Sequence, residues 1–537
     1  MGAPSYYAAG GSNKVIGSFT HVLKIEFLLH RCAVTSSPSH MSDMISGTLE
    51  LTSKVRYGMT SRGIPLFRFI PYNKAIGPFA VGCSQRNLFY NVHAIVEPTP
   101  SAQSSYTSLL PKATLVQNLG VPTLETNLQV LLTNYAYDCN KGLHPKKKVA
   151  PAAASAAAAQ ADAPTADISN SKKRVHMEGF TFHIDPPGCK DVDDSFTFLP
   201  LSNGAWRISI NIADVAYWVK EGSELDLMAA KRATSFYSPT GEALAPMFPP
   251  VISEGYASLG GPGLKPTLSL QFTWTPSAPL TEFQWIEATT RTDASYTYDQ
   301  ADQGHPLLHN TAIRALQQLS AELDPTNKAQ TSHEWVQNMM ILYNRKAGEA
   351  LKEKGNGILR AHSTPNALKL AEYVAIHPDL AFLAYDAATF CLATDPNTAH
   401  YGLGTGSYAY ASSPIRRYCD LVNQRILKAQ SGHLTQTNQD LVDSLNRRQK
   451  QAKAFSRDLF FMTELSSQKG STAVEGTVIE CSTTTKYKVY VPAWKRCVKV
   501  KSLLAEESLV IGSKVSLEWF CDYQQPNWKE RIIFRKK

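Results

Sequence analysis

Asp185, Asp191, Asp193 and Asp194 place four carboxylates within ten residues, in the stretch FHIDPPGCKDVDDSF. Apolar β-type runs, FTFHI before and SFTFL after, enclose them. Like charges at this density repel, and burying an unpaired carboxylate costs several kcal/mol. A hard divalent cation held by oxygen offsets that cost, which points to Mg2+ or Mn2+. Alternation along an extended strand would put Asp191 and Asp193 on one side and Asp194 on the other, and the Pro186-Pro187-Gly188 turn would let Asp185 fold back. A calcium loop of the EF-hand kind is excluded. It needs Gly five residues after Asp191 and Glu eleven after, where Phe196 and Ser202 stand. A solvated acidic turn stays open as the alternative, although such a turn has no need of apolar flanks.

Strand-like runs around this cluster must position it. GFTFHI, AWRISINIADVAYWV, LSLQFTWT and FQWIEATTR fill residues 179–291. Helical periodicity dominates from about 310 to 465. Two apolar stripes, Trp335, Met339 and Leu342, and Leu441, Leu445, Phe455, Leu459 and Met462, read as core packing. Before the cluster, short β-type runs such as SGTLELTSKVRYG and PLFRFIPYN, broken by Gly, Pro and Asn, suit a small barrel over residues 41–100. The first 40 residues show no pattern. The last 68 residues offer five short strands, STAVEGTVIE, KYKVYVPA, CVKVKSLL, SKVSLEWF and ERIIFR, as a five-stranded OB barrel requires.

The chain has 537 residues, too many for one core. Residues 144–172 are rich in Ala, Pro and Ser and read as a disordered linker. Basic clusters Lys146-Lys147-Lys148 and Lys172-Lys173-Arg174 flank it, either as charged linker ends or as a split nuclear-localisation signal. Nine scattered cysteines without a CxxC pair predict reduced thiols and a cytoplasmic location, with the nucleus as the alternative. No apolar stretch is long enough to span a bilayer, so no membrane partner is expected, and the N-terminus lacks the pattern of a secretory signal. Net charge is +9, and residues 470–537 carry 12 Lys and Arg against 7 Asp and Glu. Such a surplus favours a polyanionic partner.

Asp-Pro followed by Asp-x-Asp-Asp resembles the signature of the ribonuclease II / ribonuclease R (RNB) family. Further blocks similar to that family follow in order: INIADVAYWVKEGSELDLMAAKRATSFYSP, PMFPPVISEGYASL, ILRAHSTP, YAYASSPIRRYCDLVNQRIL and LNRRQKQAKAFSRD. The resemblance covers roughly residues 173–465. It implies a multidomain α+β chain: an N-terminal cold-shock/OB-like region over 1–143, the linker over 144–172, a mixed α/β RNB catalytic domain over 173–468 and a C-terminal OB fold over 469–537. The implied activity is Mg2+-dependent (or Mn2+-dependent) 3′→5′ hydrolysis of single-stranded RNA to nucleoside 5′-monophosphates. The implied partners are single-stranded RNA and proteins of an RNA-decay complex. Carried over residue by residue, Asp185, Asp191 and Asp194 hold the metal, Asp193 is the acid most critical for the chemical step, and Arg416 lies at the scissile phosphate. Tyr237 would stack on the 3′-terminal base, and Arg360 and Arg417 would contact RNA.

The chain departs from the family pattern at several positions. Gln337 and Asn338 stand where a pair of glutamates is usual. Tyr410 and Gln424 each take the place of a histidine around the SPIRRY block. These departures motivate a second reading, a catalytically impaired RNB protein that binds RNA or scaffolds a decay complex. A third reading is a metal phosphodiesterase acting on small nucleotides.

Overall fold

In the computed structural model, the described residues are 22–26, 44–99, 109–136, 174–303, 311–327, 330–428, 436–463, 472–483, 486–502, 510–522, 525–526 and 531–536. The proposed linker, with Lys146-Lys147-Lys148, Lys172 and Lys173, lies outside them. The chain folds into two compact units. One comprises Met1–Ala8, Val149–Thr364 and Asp386–Ala452, the other Ala9–Lys148, Pro365–Tyr385 and Lys453–Lys537.

The first unit is built on a seven-stranded sheet in the order Ala294–Thr297, Phe180–Asp185, Asp194–Pro200, Trp206–Ala213, Lys265–Trp274, Thr281–Thr290 and Val175–His176. The five middle strands pair antiparallel, and the two short edge strands join parallel. Alternation sends Ile208, Ile210 and Ile212 into a core shared with Phe182, Phe196, Phe198 and Phe272. The intervening residues are polar yet also buried. Thr181 meets Thr197 at 2.8 Å, Asn211 donates to Thr197 at 2.9 Å, and Ser269 donates to Asn211 at 2.8 Å. Closing this ladder across the strands satisfies groups that would otherwise lose their water uncompensated.

Helices Thr311–Leu323, Ser332–Glu353 and Tyr418–Lys428 cover the sheet, burying Leu316, Trp335, Met339, Leu342 and Leu421 among others. The stripe Trp335, Met339 and Leu342 is therefore core, as its spacing predicts. Thr331 and Glu334 form a reciprocal capping box that starts the long helix. Further along it, a Cβ at Gly348 would lie 2.8 Å from the Tyr408 backbone nitrogen, so only glycine admits the passing chain. Helix Gln439–Thr463 buries Leu445, Phe455, Leu459 and Met462.

The second unit holds two closed barrels. Strands Ile45–Glu50, Leu66–Pro71, Phe79–Gly82, Val92–Pro98 and Lys112–Gly120 form the first, extending the sequence-based barrel by some twenty residues. The five expected C-terminal strands form the second, with a sixth that the sequence did not suggest. Val22–Glu26 pairs antiparallel with both Arg496–Ser502 and Ile532–Lys536 and closes the ring. Its partners lie more than 470 residues away, and pairing at that range leaves no local signal.

Candidate active site

The aspartates do not lie on one continuous strand, contrary to the alternation argument. The strand Phe180–Asp185 ends at the first of them, residues 186–193 are irregular, and regular pairing resumes at Asp194. A neighbouring segment holds the irregular stretch in place. Ser258 Oγ donates to the Lys190 carbonyl at 2.7 Å and accepts from the Val192 N–H at 3.1 Å, and the Leu259 N–H donates to the Val192 carbonyl at 3.0 Å. Gly260 lets that segment close in, since a Cβ there would meet Val192 Cγ2 at 3.0 Å.

Within this frame Asp193 is 4% exposed. One oxygen accepts from the Ile415 N–H at 2.9 Å, the other from Arg416 Nε at 2.9 Å. Burial pushes the carboxyl up to about 7, while Arg416 and the Ile415 N–H oppose the rise. Asp194 is also raised, by burial first and then by the charges of Asp185 and Asp193. Asp185 accepts from His183 Nδ1–H at 2.7 Å. Asp191 accepts from the Tyr237 hydroxyl at 2.6 Å, and the Cys189 thiol donates weakly to Asp191 at 3.8 Å.

Arg416 keeps 45% of its side chain exposed. Besides Asp193 it donates to Ser413 Oγ at 3.1 Å, and its carbonyl accepts from the Ser235 N–H at 2.9 Å and from Thr234 Oγ1 at 3.0 Å. That last pair of bonds links the SPIRRY turn to the segment leading into Tyr237. The structure therefore brings together Asp193 with Arg416 and Asp191 with Tyr237, and it couples Asp194 to Asp185 and Asp193 electrostatically.

Arg417 and Arg360 are placed differently. Arg417 donates to Asp420 at 2.6 Å and lies 4.1 Å from the centroid of the Tyr410 ring. Arg360 is 5% exposed and donates to Gln449 at 2.8 Å and to the Ala388 carbonyl at 2.9 Å. A guanidinium so engaged in the interior stabilises the fold around it. No described contact joins it to the aspartates. Arg174, counted with the second basic cluster, is also internal. It pairs with Asp214 and Glu287, and although burial alone would raise Asp214, Lys428 and Arg174 hold it low.

Three residues that the motif reading passed over belong to the site. His183 precedes Asp185 by two, and same-face spacing on a strand was the available signal. Tyr298 is raised by burial and then by Asp194 and Asp185, and its ring stacks on His333 at 3.5 Å. Asp420, three residues beyond Arg417 at helical spacing, is fully buried and accepts from the Ser413 N–H at 2.8 Å.

No described side-chain bond joins Gln337, Asn338 or Gln424 to the four aspartates. Gln337 is exposed, and Asn338 donates to the Ser320 carbonyl and hydroxyl. Gln424 is fully buried, donating to the Ala213 carbonyl at 2.8 Å and accepting from the Ala216 N–H at 3.1 Å.

A divalent ion fits this site by the chemistry of its donors. The donors are hard oxygens, and two buried carboxyls are pushed up in a way that a cation would reverse. Among the described residues, however, no group of three or more His, Cys, Asp or Glu side chains is already gathered as a metal cage.

Comparison with known families matches the RNB domain over residues 174–323 and 309–432. Exosome complex exonuclease RRP44 of Mus musculus is 25% identical over 385 residues, which are 56% of this chain and 40% of that protein. The matched stretch thus spans about four tenths of that relative's length. Mycoplasma genitalium RNase R in complex with ribose-methylated single-stranded RNA superposes with a TM-score of 0.71 at 15% identity, covering 92% of this chain and 90% of that one. Yeast Ssd1, described as a pseudonuclease, gives a TM-score of 0.61 at 17% identity over 90% of this chain and 68% of its own. The fold is that of RNase R, and with the acidic stretch and the SPIRRY turn inside the matched region, the chain belongs to the RNB-domain family.

Proposed function

We propose that this chain is a metal-dependent exoribonuclease that shortens single-stranded RNA from its 3′ end, releasing nucleoside 5′-monophosphates. The observation that carries this reading is the buried Asp193 carboxylate, held between Arg416 and the Ile415 N–H beside three further aspartates in an RNB domain. Asp185, Asp191 and Asp194 would hold Mg2+ (or Mn2+), which when bound supplies an acidified water and charge neutralisation at the phosphate. Arg416 is anchored on one edge by Asp193 and Ser413 and offers its exposed remainder to phosphoryl oxygens, where fixed donors favour developing negative charge. Tyr237, whose hydroxyl donates to Asp191, would pack its ring on the terminal base regardless of sequence.

Partner proteins of an RNA-decay complex follow by analogy with RRP44. Cysteines without disulfides among the described residues support a reducing compartment, and hence the cytoplasm. A nuclear signal would have to rest on residues 146–148 and on Lys172 and Lys173, because Arg174 is buried.

The test is a single-stranded RNA labelled along its whole length, incubated with the protein and Mg2+. A descending ladder with mononucleotide release, lost by at least about a hundredfold in Asp193→Asn, is expected. Absence of mononucleotides from the wild-type protein under Mg2+ and Mn2+ overturns the enzyme reading.

A second reading, an RNA-binding protein without nuclease activity, draws on the full engagement of both Asp193 oxygens and on the Ssd1 likeness. RNA affinity without cleavage selects it.

A further inference from the structure

Tyr410 stands where the resembled family carries histidine, and its surroundings give that exchange a physical purpose. The guanidinium carbon of Arg417 lies 4.1 Å from the Tyr410 ring centroid and that of Arg360 lies 4.8 Å from it. Phe390 packs edge-on at 5.8 Å and also lies under Arg360 at 5.0 Å. Two like charges thus share one aromatic ring in a largely buried setting. An electron-rich phenol ring attracts both, and the attraction grows where water is excluded. A neutral imidazole offers a weaker π surface, and a protonated one would repel both guanidiniums.

Arg417 passes this restraint onward. It donates to Asp420 Oδ1 at 2.6 Å, and the same oxygen accepts from the Ser413 N–H at 2.8 Å. Ser413 Oγ in turn accepts from Arg416, which holds Asp193.

We propose that Tyr410 is a positioning residue: its ring braces Arg417 and Arg360, and through Arg417, Asp420 and Ser413 it fixes the turn that presents Arg416. The catalytic consequence rests on the nuclease reading, whereas the bracing itself rests on geometry alone.

Two measurements separate them. Hydrogen–deuterium exchange of a peptide covering residues 412–418 reads the turn directly, and steady-state RNA cleavage reads its effect on Arg416. Tyr410→Phe keeps the ring and is expected to preserve both. Tyr410→Leu keeps apolar volume without π electrons. It is expected to speed exchange of these amides about tenfold and to lower kcat about five- to tenfold, with KM within about twofold. Arg417→Lys removes the fork while keeping Tyr410 intact, and should reproduce the Leu pattern even if Tyr410→Leu folds poorly. The bracing is refuted if Tyr410→Leu and Arg417→Lys exchange like wild type, or if Tyr410→Phe loses as much as Tyr410→Leu. Faster exchange with unchanged kcat would refute the link to Arg416. A wild-type protein that cleaves no RNA would sink the nuclease reading, with the exchange result still deciding the bracing.

Discussion

Removing the guanidinium that Asp193 leans on should convert a nearly pH-independent region of the stability curve into a sloping one. In the folded protein the Asp193 carboxyl is pushed by burial up to about 7, against 3.8 for an unperturbed group. The folded state therefore binds the extra proton between those values, and stability falls as pH rises through that window, by about 4 kcal/mol in all. Above about pH 7 the Asp193 contribution levels off in the wild type, because that carboxyl is then ionised in both states. Arg416→Met deletes the attraction that opposes the rise, so the variant's carboxyl stays protonated to higher pH. From pH 7 upward the variant should go on losing about 1.4 kcal/mol per pH unit until its own carboxyl titrates. The total is bounded by what Arg416 supplies. Its side chain is 45% exposed, so screening reduces the attraction to about 1–2 kcal/mol. Urea unfolding of both proteins at pH 5 to 9, with EDTA present, measures this. Curves that coincide near pH 5 and diverge by about 1–2 kcal/mol at pH 9 are expected. A constant gap across the range would show that Arg416 acts by packing rather than by charge.

Gly348→Ala should force the helix off the Tyr408 backbone, costing about 1–3 kcal/mol in urea unfolding and lowering kcat by disturbing the chain that leads to Arg416. Gln424→Leu removes two buried bonds, to the Ala213 carbonyl and from the Ala216 N–H, and should cost about 2–4 kcal/mol, read as a lower denaturation midpoint. On the first barrel, Phe89 is 83% exposed and Tyr90 51% exposed. Replacing both by Ala should weaken single-stranded RNA binding at least about tenfold in a fluorescence-anisotropy titration and leave the melting temperature unchanged.

The carboxylates and the SPIRRY turn were legible because chemistry that needs several charges close together leaves those charges in short, ordered blocks. The strands were legible because a two-residue period of Phe, Ile and Trp survives in the text wherever a face is buried. What the residues 186–193 do was not legible. Alternation assumes a sheet partner, whereas Ser258 and Leu259 replace the sheet by supplying a hydroxyl, an N–H and close contact from more than sixty residues away. The surroundings of Arg360 were not legible for a related reason. An arginine reads as a surface charge until Phe390, Tyr410, Gln449 and the Ala388 carbonyl are seen around it. The strand Val22–Glu26 could not be placed at all, because both its partners come from the opposite end of the chain.

The amide and aromatic exchanges bear on whether this RNB domain is a working nuclease, and their locations weigh on one side. A lost glutamate would impair the reaction directly only if its carboxylate reached the metal or the water. Asn338 instead spends its amide on Ser320, and Gln337 faces solvent. Gln424 uses both ends of its amide, one donating and one accepting, at a buried spot where a neutral imidazole could do the same with its two nitrogens. Asn338 and Gln424 therefore spend their amides on local bonds, and neither bonds Asp185, Asp191, Asp193 or Asp194 through its side chain. Decay of catalytic function would be expected to show first at the acids themselves, since nothing in the fold needs four carboxylates crowded against one another. Burial works against ionisation of Asp193 and Asp194, and Arg416 opposes that penalty at both without cancelling it. On the proposed reading, a bound cation and the phosphate beside it would offset the cost of that grouping.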